Sequence, residues 1–465
     1  MLRPEPSVTP RLHTSAVASH LSHWLLARES AIRLAVFRIT IGSILVSSVD
    51  VWSAPAWAGL PPELRFAPAG LGWANALLPF SVTAVRAGVG LLVVAAGAGA
   101  IGLFSRASFA VAAVAATYVL GVPQFAGAVM HSHHLIWFAA LLAASPCGDA
   151  LSVDAMLARR RGRPTPIEPS ACYGFPIRVA WLLIACVFVF PGLWKLRASG
   201  LAWAWSDNLR NQMYLKWAQT PTFVPLFRID RDPTLCRLLA LAGLCLEVSF
   251  PLLIVARRLR PIAVVGALAF HAFNQAFLNI RFGGLWLCYT VFIDWDRVSR
   301  WFIRTPAVRR QVPGAPRRSL VPTAVMGGVL LTGNIAAGLC GATTAWPFAC
   351  YPTFQAIAGA EMATLALEGL HADGSTAALA QLPLSQRDWG LLWSVTGARS
   401  TPVTVSALTA YWHRLRSRDD FHRTIERSIS GARRVRFYRE WISVVPETRG
   451  AVLRRELLAE IAADP

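Results

Sequence analysis

The chain has 465 residues, 55% of them hydrophobic and only 15% charged, with a net charge of +20 at neutral pH. So apolar a composition excludes an ordinary soluble domain and indicates a polytopic membrane protein. The basic excess then reports topology and the anionic inner leaflet rather than a nucleic-acid partner.

Residues 1–30 carry Arg3, Arg11 and Arg28 but no separate apolar core ahead of a small-residue cleavage site. No removable signal peptide is therefore expected, and the first span acts as its own insertion signal. Apolar runs follow at about 31–50, 85–104, 108–122, 131–148, 175–193, 234–256, 261–280, 283–295 and 319–341. They predict eight or nine spans. The 283–295 run is shorter than the roughly 20 residues a perpendicular helix needs, so its boundary is the least defined.

Short cytoplasmic loops are enriched in Lys and Arg. Arg159-Arg160-Arg161, Arg257-Arg258-Leu259-Arg260 and the seven arginines from Arg297 to Arg318 are accordingly expected inside. Nine spans make these segments alternate with the nearly uncharged 51–84 and 121–130 loops, whereas eight break the alternation. The N-terminus is then cytoplasmic, residues 31–341 form one all-α membrane domain, and residues 342–465 lie outside.

That last segment is polar and basic, with strand-like runs at 363–369 and 435–445, an Asp373-Gly374 turn suited to a hairpin and a helical stretch at 403–415. It reads as a small α+β extracytoplasmic domain without metal spacing, nucleophile elbow or phosphate loop, and so as a folding or recognition appendage. Cys186, Cys236, Cys245 and Cys288 lie in spans, where cysteine behaves as a small apolar residue. Cys340 and Cys350 flank the outer exit of the last span, where a disulfide and two free thiols are both open.

Ionisable groups inside spans are costly and therefore informative. Arg38 in the first span and Glu247 in the sixth fall about 10–14 Å from their inner ends at 1.5 Å rise per residue, so a structural Arg38–Glu247 ion pair is expected. The outer half is richer. The chain has two lysines beside 43 arginines, and Lys195 follows a Pro191-Gly192 break. Arginine stays charged in any protein setting, while a lysine in an apolar site can lose its proton and act as a base; the competing reading is a lysine that snorkels to the interface.

His131, His133 and His134 stand at the outer start of the fourth span, and His271 with Asn274 near the outer end of the seventh. The i, i+3 spacing puts His271 and Asn274 on one helix face. Three helices thus bring polar groups to one membrane face, suited to proton abstraction from a lipophilic substrate. Each alone also reads as a satisfied core residue. Trp194, Trp203, Trp205 and Trp217 read as interface anchors. Arg197, Arg210, Lys216, Arg228 and Arg231 make the 194–233 loop basic, which either attracts an acidic substrate or is simply solvated; Lys216 is expected at the surface.

Four segments carry a family resemblance. They are Ala35-Val36-Phe37-Arg38; His133 before Ile136-Trp137 and the run to Ser152-Val153-Asp154; Pro191-Gly192-Leu193-Trp194-Lys195-Leu196; and Phe270-His271-Ala272-Phe273-Asn274 running on to Ile280. In order and spacing over about residues 30–300 the chain resembles the vitamin K-dependent γ-carboxylase family and its bacterial relatives, grouped by the horizontally transferred transmembrane (HTTM) domain.

The resemblance implies that Lys195 is the base that deprotonates a reduced quinone (vitamin K hydroquinone or a menaquinol-like quinol), whose reaction with O2 drives proton abstraction from glutamate and addition of CO2. It implies that His133 assists Lys195 and that His271 and Asn274 support the site. The implied partners are membrane lipid, the lipophilic quinol and a secreted peptide or protein substrate, with no metal and no nucleic acid. Two features depart from the family pattern. Arg281 stands where a glycine is usual, so Arg281, with Arg197, is a candidate for contacting a different substrate. The long lumenal region of the animal enzymes is not recognisable in 342–465, although Trp346-Pro347-Phe348 and Tyr351-Pro352 are similar to motifs of bacterial relatives.

Two other function classes compete with a carboxylase-like enzyme. One is a non-enzymatic membrane protein for export, maturation or protection involving a secreted peptide. The other is a histidine-rich metal oxidase, suggested by His131-Ser132-His133-His134, but such sites need more histidine clusters than ten histidines in all provide.

Overall fold

The structure is a computed structural model describing residues 13–65, 67, 71, 73–74, 78–125, 131–163, 168–220, 222–302, 319–342, 345–348, 354–378, 401–417 and 431–463. In chain order its helices are α1 (His13–Leu25), α2 (Ala31–Ser47), α3 (Val49–Ala58), α4 (Val82–Ile101), α5 (Ser105–Gly121), α6 (His133–Ala144), α7 (Val153–Arg160), α8 (Ala171–Ser199), α9 (Ala202–Trp205), α10 (Asn208–Gln219), α11 (Pro233–Val255), α12 (Arg260–Leu278), α13 (Leu285–Cys288), α14 (Trp295–Phe302) and α15 (Val321–Leu339). Strands β1 (Glu361–His371) and β2 (Thr376–Ala378) follow, then α16 (Thr401–Arg416), β3 (Ala432–Ser443) and β4 (Val452–Ala462).

Local chemistry sets several boundaries. Ser81 caps α4, Ser170 caps α8 and Asp232 caps α11, each side chain accepting a backbone N–H of the first turn. Left-handed Gly102 and Asn279 end α4 and α12. Seven described helices are long and apolar enough to cross a membrane: Ala31–Ala58, Val82–Ile101, Ser105–Phe125, Ala171–Ser199, Pro233–Val255, Arg260–Leu278 and Val321–Leu339. The chain is thus a multi-pass membrane protein, with α6 as a shorter apolar helix of 12 residues.

The 283–295 run departs from the expected span. It folds as α13 followed by a 3-10 turn at Tyr289–Phe292. It runs from Phe282 beside His271 to Asp294, which pairs with Arg33 at 3.1 Å. Non-helical backbone at such depth is tolerated when protein surrounds it. Here Leu285, Cys288, Tyr289 and Val291 are buried, and Trp181 Nε1 donates to the Val291 carbonyl.

The bundle has two unlike ends, about 28 Å apart along the 19 residues of α12 at 1.5 Å rise. At one end Glu29 accepts from Arg33 at 2.5 Å and from Arg178 at 2.6 Å, and the Arg260 guanidinium lies 4.2 Å from the Trp181 ring. Toward the same end a polar knot ties four helices. Arg38, fully buried, donates to the carbonyls of Cys147, Ala150 and Leu151. Asp154 accepts from the Phe104 and Ser105 backbone at 2.8 Å each and so holds the left-handed turn before α5. Gly102 is obligatory there, because its φ is 76° and a Cβ would fall 2.3 Å from that of Ser152.

This geometry corrects one expectation. Arg38 does not pair with Glu247: both terminal nitrogens of its guanidinium donate to the three carbonyls, and Glu247 has another partner. Equal depth along two helices says nothing about whether they are neighbours.

At the other end sits the C-terminal sheet, antiparallel, in the order β2-β1-β3-β4. The expected Asp373-Gly374 turn joins β1 to β2, with Asp373 Oδ1 accepting from Ser375 N and Oγ. Strand β4 went unforeseen because Leu453-Arg454-Arg455-Glu456-Leu457 lacks the β-branched alternation that marks strands. One sheet face, with Leu365, Leu367, Val435 and Phe437, packs on α16 and on Leu60 and Leu64 after α3. Met362, Ile442 and Val444 pack on Met213, Trp217 and Phe277, which docks the sheet onto α10 and α12.

The boundary expected at 342 differs in detail. Trp137 donates to the Pro347 carbonyl and Trp346 to that of Thr117, so residues 345–348 pack into the bundle. Cys340 is exposed, while Cys350, Tyr351 and Pro352 lie outside the described residues.

Candidate functional site

Helix α8 does not stop at Pro191-Gly192 but continues to Ser199, which places Lys195 inside a helix rather than at its end. Gly192 explains why the sequence has a glycine there. A Cβ at this position would lie 2.9 Å from Glu247 Cβ, 3.0 Å from Val248 Cγ2 and 3.3 Å from Val248 N. Without one, α8 approaches α11 closely enough for Lys195, three residues further on, to reach Glu247. The ammonium donates to both carboxylate oxygens, at 2.5 and 2.7 Å. Lys195 is 5% exposed and Glu247 4%, so two charges have been taken almost completely out of water. Such a pair is maintained only by close geometry, and removing one partner typically costs about 3–5 kcal/mol. The indole of Trp203 covers the ammonium, its ring centroid 4.6 Å from Nζ.

This pair forms part of the wall of a cavity of about 580 Å³, within the range of cofactor sites. Most of the wall is apolar, from Phe188, Leu246, Phe270 and Phe282 among others. Its polar groups are few: Lys195, Glu247, His131, His271, Asn274 and Gln212. His271 Nε2 is hydrogen-bonded to Tyr289 Oη at 2.8 Å, whereas Nδ1 is buried with no hydrogen-bond partner among the described residues. Asn274 donates to the Phe270 carbonyl at 2.7 Å. The Phe282 ring lies between the two histidines, 5.2 Å from His131 and 4.6 Å from His271.

The structure therefore brings together Lys195, His271 and Asn274, as their shared membrane face predicts, and adds Glu247. It does not bring His133 to the cavity wall. His133 begins α6 and packs against Trp346 at 4.6 Å and Trp137 at 6.4 Å, while His131, in the turn before the helix, takes the position on the cavity. Three histidines in four residues share a sequence neighbourhood but point along different directions of a helix start. Arg197 and Arg281 are exposed, and neither lines the cavity; Arg197 stacks on Trp194 at 4.8 Å.

The tryptophans also divide. Trp205 is 60% exposed and suits an interface anchor, but Trp203 and Trp217 are buried and donate to the Phe354 and Phe277 carbonyls. Sequence reasoning missed Gln212 and Tyr289 because a lone amide or phenol in an apolar run carries no pattern. It noticed Glu247 but assigned it the wrong partner, although Gly192 was a usable signal that α8 has a close neighbour.

Among the described residues no group of three or more His, Cys, Asp or Glu side chains is arranged to hold a metal ion. In comparison with known proteins, the family model of the HTTM domain matches residues 28–295, which takes in the described parts of the bundle from the Glu29 cluster through the Lys195–Glu247 cavity to Asp294. No curated protein and no solved structure matches the chain.

Proposed function

Since the chain belongs to the HTTM domain family, we propose that it is a membrane enzyme of the vitamin K-dependent γ-carboxylase type, with Lys195 as the base acting on a reduced quinone in the cavity. The observation that carries this reading is a bonded lysine and glutamate in the wall of a largely apolar cavity. A purely structural ion pair gains nothing from facing a cavity.

The residues present fit a quinol. The apolar walls suit its ring system and tail, and His271 Nδ1 provides a buried polar position without a protein partner. A bound quinol would supply, with O2, the strong base needed to remove a γ-proton from glutamate, to whose carbanion CO2 adds. The chain's own residues handle the first proton. Glu247 takes a proton from the Lys195 ammonium, and the free amine accepts the proton of the quinol hydroxyl. The pair thereby gains one proton and the quinol loses one, with no charge left uncompensated in the apolar cavity. Trp203 favours the ammonium as it reforms. His271 and Asn274 support the negative oxygen by hydrogen bonding, a contribution that grows where water is excluded. His133 acts through packing at the start of α6 rather than by contact.

The proposed orientation puts the Glu29–Arg33–Arg178 end in the cytoplasm with the N-terminus, and the sheet outside, where a secreted peptide or protein substrate would meet the cavity. Support comes from Arg159, Arg160 and Arg161 at the C-terminal end of α7 and from Arg257 and Arg258 between α11 and α12.

The test is to give the purified protein in lipid nanodiscs a vitamin K hydroquinone or menaquinol and O2, and to follow quinone epoxide by mass spectrometry. Epoxide formation by the native protein and its loss in Lys195→Met are expected. Full quinol oxidation by Lys195→Met overturns the reading.

A further inference from the structure

The second lysine of the chain is not a surface residue. Lys216 is half-buried on α10, the helix that walls the cavity with Leu209 and Gln212. Residues 209, 212 and 216 are spaced i, i+3, i+7 and so share one helix face. The opposite face, with Asp207, Arg210, Asn211 and Tyr214, looks onto a separate polar cleft of about 610 Å³. Lys216 therefore stands one turn beyond Gln212 at the cavity's edge. Its ammonium lies 5.7 Å from the ring of Phe354, itself a wall residue, and close enough to His131 for its charge to be felt by that imidazole.

What distinguishes Lys216 from Lys195 is its neutralisation. Lys195 has Glu247. Lys216 donates at 3.0 Å to the amide oxygen of Gln219, and among the described residues it has no carboxylate. Of the other cations of this region, Arg210 and Arg237 pair with Asp207 and Arg228 with Asp230, while Arg197 and Arg231 are exposed to solvent. Burial alone pushes the Lys216 ammonium below the ordinary lysine range, so the site carries a desolvated positive charge without its counter-ion.

We propose that Lys216, with Gln212, forms an anion-binding mouth of the cavity that takes the carboxylate of an amphiphilic ligand whose apolar part lies against the cavity walls. The inference rests on the cavity being a ligand site, but not on the reaction proposed for it. Two sources share this chemistry, an acceptor carboxylate of the glutamate type and the headgroup of a fatty acid from the bilayer.

Binding without turnover tests the proposal and stays informative if the quinol chemistry fails. Purified full-length protein is titrated, by tryptophan fluorescence and thermal shift, with two matched pairs: N-octanoyl-glutamate amide against N-octanoyl-glutamine amide, and oleate against oleyl alcohol. In at least one pair the native protein is expected to bind the acid tenfold or more tightly than its neutral partner. Lys216→Met should erase that preference while retaining the neutral ligand, and Lys216→Arg should keep most of it. The pair that shows the effect identifies the source. Equal affinity for acid and neutral ligand in both pairs, or a preference that survives Lys216→Met, overturns the proposal.

Discussion

Two of the places where the bundle gathers polar side chains, the knot around Arg38 and the cavity at Lys195, differ in what answers them. In the knot around Arg38 the terminal nitrogens of the buried guanidinium are answered by backbone carbonyls, Asp154 is answered by backbone N–H groups, and a Cβ at Gly102 would clash with Ser152. In the cavity Lys195 and Glu247 answer each other, but they do so in the wall of an internal space, and His271 keeps a buried nitrogen without a partner among the described residues. Both places use residues that are expensive to bury. A polar group closed on all sides holds the fold together, whereas one that faces a cavity remains available for chemistry.

The largest effect is expected from breaking the pair. Lys195→Met should lower quinol-dependent oxygen consumption by about 10²–10⁴-fold, the usual contribution of a general base. It should also lower the thermal midpoint, because Glu247 is left as an unpaired buried charge. Adding Glu247→Leu should restore the midpoint without restoring the rate. If the double variant regains activity, the pair belongs with the knot and not with the chemistry.

Next in size is Gly192→Val, in which the new side chain meets Glu247 and Val248 on α11. Separating the helices by about 1 Å should cost on the order of 10²-fold in rate. Thermal unfolding and oxygen consumption on the same preparation will show whether the loss exceeds what destabilisation explains. Arg38→Met should behave the opposite way. Three carbonyls lose their donor, at about 1–3 kcal/mol for each that stays buried and unsatisfied, so the yield of folded protein and its midpoint fall. The rate per folded molecule should hold. The smallest effects are expected at the surface, where Arg197→Ala and Arg281→Ala should change stability by no more than about 0.5 kcal/mol. An acceptor KM raised tenfold by either change would move substrate recognition outside the cavity.

Much of the fold was legible in the chain. Apolar runs marked seven helices long enough to span, and caps such as Ser170 and Asp232 set their starts. The rest was hidden for identifiable reasons. The 283–295 run is apolar throughout, yet whether it forms one helix or two short pieces depends on the wall of protein around it. The site was half legible. Lys195 stood out by scarcity, and His271 with Asn274 by spacing. His133 and His131 were indistinguishable in sequence, because which of them stays in the turn and which opens α6 depends on the residue at which the helix starts.

Composition and periodicity by themselves determined that this is a multi-pass helical membrane protein with a small α+β unit at its C-terminal end, and the motif order pointed to its family. These are properties of single segments, fixed by hydrophobic length and by local hydrogen bonding. Only the tertiary structure decided that Glu247 belongs to Lys195, that Arg38 belongs to three carbonyls, and that Lys216 lies beside Phe354 of the cavity wall. Which helix lies against which is set by side-chain packing between distant segments, such as the close approach at Gly192, and a charge in a membrane protein takes its role from the neighbour that packing gives it.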